Sequence, residues 1–142
     1  MSAYTTWQSV TGKIPEPLAI NALDDGTAGG TVAGVAPKFN QIVSDISLEL
    51  DGYLASIYPV PWPPNGIPPA VAQACLYIVC QNIAARRLAQ GQANPWAEDA
   101  SKWKTIVEQY GKGDGNLGPN FPRSFSPGFG VIGEMAMDWN TA

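Results

Sequence analysis

The chain has 142 residues, with 8 Lys or Arg, 12 Asp or Glu and no His, for a net charge of −4. That length suits one domain with one modest core, and the charge leaves no basic footprint for gripping DNA phosphates. Without histidine, Ser-His-Asp and Cys-His catalysis and every His-ligated metal centre are excluded.

Residues 4–12 predict a short helix with Thr5 or Thr6 as N-cap and Gly12 as stop, and Trp7 and Val10 free to pack on a core. Pro15 and Pro17 frame a second short helix through Leu18, Ala19, Ala22 and Leu23, ending at Asp24-Asp25-Gly26. The stretch GTAGGTVAGVAP, Gly26 to Pro37, has the composition of a flexible loop, with at most one short strand over 31–35. Asp24 and Asp25 do not make a calcium loop, because the alternating Asp/Asn ladder and the closing Glu are missing.

A long helix is expected from about Lys38 to Tyr58. Phe39, Ile42, Val43, Ile46, Leu50, Tyr53, Leu54 and Ile57 recur at helical steps and define its buried face. Gly52 interrupts it, either to let another backbone approach or as a tolerated surface glycine. Glu49 and Asp51 stand two apart, so they do not share a face, and solvation is their expected role. The run YPVPWPPNGIPP excludes helix and predicts a semi-rigid corner with a turn at Asn65-Gly66. Trp62 on that corner caps the core or meets a neighbouring subunit, with the core favoured.

From about Pro68 to Gln90 a second long helix is apolar nearly all round, which suits the middle of a bundle. Arg86 and Arg87 place cations at its C-terminus, and Gly91 is its expected terminator. As phosphate ligands the two arginines are the weaker reading. Helix capping plus a salt bridge to Asp51 or Glu49 is the stronger one. Cys75 and Cys80 point about 140° apart on this helix, so both read as reduced, buried thiols of a cytosolic product.

The last helix is expected from about Pro95 to Tyr110, with Asn94 as N-cap, Gly111 as stop and an apolar seam of Trp96, Ala100, Trp103, Val107 and Tyr110. Glu98 and Lys102 are spaced for an i,i+4 ion pair. Residues 112–142 carry no helical period, only Gly, Pro and four spaced aromatics, Phe121, Phe125, Phe129 and Trp139. The fold class expected is therefore all-α, a small bundle over residues 1–111 with two long central helices and a proline-rich corner, followed by an extended C-terminal arm over 112–142. The arm is expected to leave its own subunit and dock its aromatics on a neighbour, so Trp62, Phe121, Phe125, Phe129 and Trp139 are the candidate interface residues.

No constellation of catalytic, cofactor-binding or metal-ligating residues emerges. GTAGG and GKGDG lack the strand-before, helix-after setting of a phosphate loop. No run approaches the roughly eighteen apolar residues of a membrane span, and MSAYTTWQSV lacks the pattern of a signal peptide.

One segment carries a resemblance. The run DGYLASIYPVPWPP followed by IPPAVAQACLYIVCQNIAARR resembles the core of the Mu-like head–tail connector proteins of tailed phages, also called adaptor or head-completion proteins. The matching positions are Asp51, Gly52, Tyr53, Leu54, Tyr58, Pro59, Pro61, Pro69, Val71, Ala74, Ile78, Ala85 and Arg86. The likeness is close over 51–87 and looser from the N-terminus to about Tyr110, and the 26–37 segment departs from the shorter acidic linker of that family.

The resemblance implies an all-helical structural virion protein, not an enzyme and without cofactors. It would be made in the host bacterial cytoplasm and placed in the neck of the particle. Its implied partners are further copies of itself in a dodecameric ring, the portal protein, and stopper or tail proteins, with DNA only as non-specific cargo of a central channel. Composition agrees in kind: only 14% of residues are charged and Trp numbers 5, as suits interfaces depleted in charge and rich in aromatics. The alternatives are another neck component, the stopper or tail-completion protein, whose folds are more often β-rich, and a small cytosolic enzyme or binding or regulatory domain.

Overall fold

The computed structural model describes residues 3–88 and 91–124. Among them the chain forms five helices and no strand: α1 (Trp7–Thr11), α2 (Glu16–Leu23), α3 (Val32–Leu54), α4 (Pro69–Ala85) and α5 (Ala97–Gly111). The all-α bundle expected from helical periodicity is what the chain adopts.

Helix α4 is the hub. It packs against each of the other four, and Val71, Ala74, Cys75, Val79, Cys80 and Ile83 are buried around its circumference. A helix without a polar face can only be stable in this position. Across it lies α3, whose expected stripe is buried at Phe39, Ile42, Val43, Ile46, Leu50 and Leu54. Its fellow members Ile57 and Tyr53 sit just beyond the helix end and half-buried, respectively. Helix α5 closes the third side with Ala100 and Val107 buried and Trp96, Trp103 and Tyr110 partly so.

The 26–37 segment is loop only in its first half: residues 26–31 form turns, and 32–37 are already helix. Thr31 caps α3, its Oγ1 accepting the Gly34 N–H at 3.0 Å, so the helix begins at Val32, ahead of the expected Lys38. Pro37 sits inside the helix; the carbonyl it leaves unpaired belongs to Ala33, which is exposed to water. The turn before the helix is stapled by Asp24, whose carboxylate accepts the N–H groups of Gly26, Ala28 and Gly30. Those bonds, Gly26 first, hold the Asp24 carboxyl below its usual range. At Gly34 a Cβ would lie 2.0 Å from the Ala28 carbonyl oxygen. Here glycine marks close packing, which its composition alone disguises as looseness.

The other boundaries shift for local reasons. Helix α4 ends at Ala85 with Arg86 as its cap, well before Gly91. Asn94 ties the two last helices together: its amide donates to the Gln81 carbonyl at 2.9 Å, while its Oδ1 accepts the Trp96 N–H at 2.9 Å. It is not the N-cap expected of it: its bond to Trp96 closes a turn ahead of the helix, the cap position is Trp96 without a side-chain bond, and the helix starts at Ala97, leaving Pro95 outside. The Glu98–Lys102 pair does not form; Lys102 lies over the Trp103 ring, 5.9 Å from its centre.

Of the two roles open to Gly52, the structure selects one, and it gives the other to Gly111, which also ends α5 as expected. Gly52 is exposed with nothing within 4 Å of where a Cβ would stand, so it is the surface glycine. The close approach belongs to Gly111, where a Cβ would fall 1.9 Å from the Tyr53 carbonyl oxygen. This is where the end of α5 meets the end of α3.

Candidate functional site

The segment that carries the family resemblance forms one end of the bundle, where the C-terminus of α3, the 58–68 corner and the N-terminal residues converge. Tyr4 locks it. Its ring is 2% exposed, its hydroxyl donates to Asp51 Oδ1 at 2.5 Å and accepts the Trp62 N–H at 3.2 Å, and its own N–H donates to Ser47 Oγ at 3.1 Å. Asp51 is thus a buried partner of the N-terminal segment, not a solvating acid. The reason is rotational: one step of 100° from the exposed Gly52 brings residue 51 under the chain that crosses α3.

Glu49, the other acid of that pair, stays outside. It accepts the Tyr53 hydroxyl at 2.7 Å and pairs with Lys104 of α5 at 3.3 Å. Neither acid meets an arginine. Arg86 Nε donates to Asn82 Oδ1 at 3.3 Å and Arg87 to Asn21 Oδ1 at 2.7 Å, so the expected salt bridge to Asp51 or Glu49 is absent. α4 delivers the arginines at its end, while the acids sit on α3 facing Tyr4 and α5.

Of the candidate interface residues, Trp62 is half-buried between Tyr4 and Tyr58, with ring centres 6.1 and 6.2 Å away. Tyr58 itself is 1% exposed, Pro59 and Pro61 are exposed, and the Val60–Pro61 peptide bond is cis. Phe121 is half-buried on its own chain. Around it, the Leu117 N–H donates to the Tyr58 hydroxyl at 3.3 Å, and Arg123 Nη2 donates to the carbonyls of Gly113 and Gly115 at 3.0 and 2.8 Å. The Ser124 N–H donates to the Ile57 carbonyl at 2.7 Å. Through residue 124 the expected arm therefore lies back on its own corner. Phe125, Phe129 and Trp139 lie outside the described residues.

A groove of about 470 Å³ lies between the N-terminal segment with α1 and the first half of α3. Trp7, Val32, Ala36, Phe39 and Val43 give it apolar walls, and Thr5, Thr6 and Asn40 rim it without a single charge. Trp7 stands edge-on to Phe39 at 5.1 Å and 88°. Sequence reasoning missed both this groove and Tyr4. The groove depends on α3 starting at Val32, inside a stretch whose composition reads as loop, and Tyr4 lies outside any helical period.

Burial pushes the Cys75 and Cys80 thiols up to about 11 and about 12, the reverse of what a nucleophile needs. Among the described residues there is no group of three or more His, Cys, Asp or Glu side chains that could hold a metal, and no helix is long and apolar enough to cross a membrane. No family model matches the chain, and no curated protein matches it either. Among the described residues the geometry defines a small all-α domain whose features include an uncharged groove and an aromatic corner.

Proposed function

We propose that this protein is a head–tail connector subunit of a tailed phage, one of a ring of copies seated between portal and tail and surrounding the path of the DNA. The observation that carries the reading is the Asp51–Arg87 segment. Its residues match the connector pattern, and Asp51, Tyr58 and the prolines between them and α4 are the ones that build the aromatic corner. The uncharged groove and the scarcity of charge suit a chain that spends its working life against neighbours. A net charge of −4 per copy suits a conduit, since an acidic lumen repels phosphates and lets DNA slide.

The test is location. In particles carrying a tagged copy of the chain, electron microscopy is expected to find the label at the neck, between portal and tail. Label on the capsid shell, on the tail tip or nowhere in the particle overturns the reading, and label at the tail-proximal end of the neck assigns the chain to a stopper position instead.

A further inference from the structure

The groove between α1 and α3 is open, apolar and uncharged, and the described chain ends in a place that restricts what in this protein could fill it. Ser124 is fixed to the Ile57 carbonyl, at the far end of α3 from the groove. Beyond it runs FSPGFGVIGEMAMDWNTA, which has two phenylalanines within its first five residues and no Lys or Arg. From Leu54 back to Val43, the nearest groove residue on α3, the helix spans ~17 Å, and back to Val32 ~33 Å. Phe125 follows Ser124 directly, and Phe129 can stand at most ~18 Å away even on a fully extended chain. Measured along α3, the groove begins beyond the reach of Phe125 and near the limit of that of Phe129.

We infer that the α1–α3 groove receives Phe125 and Phe129 of a second copy of this chain. This rests on the ring reading above and supplies its contact. An arm on one copy and a groove on the next make a heterologous junction, the kind that closes into rings rather than pairs. The chemistry matches on both sides: apolar walls with an uncharged rim face an arm whose first nine residues, 125–133, carry no charge. Two phenylalanines bury on the order of 300–500 Å², below the ~1,000 Å² of a self-sufficient interface. A single junction is therefore weak, and closure of the ring or the portal surface completes it.

The experiment uses the full chain in two variants and needs no portal. Ala36→Glu puts a charge into the groove at a half-buried helix position, and the double variant Phe125→Ala/Phe129→Ala empties the arm. Val32→Glu stands in if Ala36→Glu lowers the helical circular dichroism, because Val32 is the first residue of α3, where an acid is favoured. By sedimentation velocity up to high micromolar concentration, the unaltered chain is expected to self-associate. Each variant alone should do so about thirtyfold more weakly. An equimolar mixture should form a heterodimer, since the arm of the first variant still fits the groove of the second.

A mixture no more associated than its components overturns the inference. So does an unaltered chain that stays monomeric throughout, or a loss of self-association on Trp139→Ala alone, which would make the distal end of the arm, and not its two phenylalanines, the contact between copies. The two readings fail separately. Complementation by a chain that never reaches the neck sinks the connector reading and leaves the junction standing; a neck ring that assembles unchanged from Ala36→Glu and Val32→Glu chains does the opposite.

Discussion

Gly111 lies directly against the carbonyl of Tyr53, with 1.9 Å between that oxygen and the place a Cβ would occupy. The contact joins the last turn of α5 to the last turn of α3, and it has a counterpart in Gly52, one residue away on α3, which faces open space. The pair makes a matched prediction. Gly52→Ala should stabilise the protein by about 0.5–1 kcal/mol through helix propensity alone. Gly111→Ala should destabilise it by about 2 kcal/mol or more, because the obstacle is backbone that cannot rotate away. Urea unfolding of the two variants checks both signs.

Tyr4→Phe should cost about 1–3 kcal/mol. The substitution keeps the ring that packs on Trp62 and removes the hydroxyl shared by Asp51 and the Trp62 N–H, two groups of a largely buried corner. A loss confined to a few tenths would show that the hydroxyl is replaceable by water. Asp45→Asn is the control, an exposed acid on the same helix that accepts the Gln41 side-chain amide at 2.8 Å, and it should change stability by less than about 0.5 kcal/mol.

Stability should fall as pH rises above about 9. Cys75 and Cys80 ionise near 9.0 when unfolded, but burial holds them protonated to about 11 and about 12 in the folded protein. The unfolded chain therefore sheds protons first, and what the two thiols contribute is fully present below pH 9 and lost across the window from 9 to 12. Thermal unfolding of the Cys75→Ala/Cys80→Ala variant should show a shallower decline over that window. A thiol reagent at pH 8 should label neither cysteine until denaturant is added.

A chain ended at Ser124 should keep the full stability of the described domain, whereas one ended at Gly113 should lose some of it. The second cut removes Leu117, which packs on the core, the Leu117–Tyr58 bond, the Arg123 clamp on the 113–115 turn and the Ser124–Ile57 bond. Equal melting temperatures for the two would mean that residues 114–124 rest on the corner without holding it.

The long apolar stripes were the readable part of this sequence. Eight residues from Phe39 to Ile57, and the all-round burial of α4, follow from spacing alone because helix packing rewards that spacing wherever it occurs. What spacing could not reveal was where glycine and proline serve packing instead of flexibility. Thr31-Val32-Ala33-Gly34 reads as loop by composition, yet Gly34 is there to let the Asp24-stapled turn close on the helix. Asp51 and Glu49 were read as equivalent solvated acids, since nothing local tells them apart. Their difference is made by Tyr4, forty-seven residues distant in the chain. The groove was invisible for the same reason: it exists only once Trp7 of α1 has been brought against Phe39 of α3.

The central claim, that this chain builds a ring at the portal, is most directly tested by the mass of the particle it forms. The chain should be purified alone and after co-expression with the portal protein of the same phage, and each sample weighed by light scattering or native mass spectrometry. The account predicts small, concentration-dependent species for the chain alone and a discrete portal-bound assembly with one copy per portal subunit. A portal recovered without the chain, or bound to one or two copies instead of a ring, would contradict it.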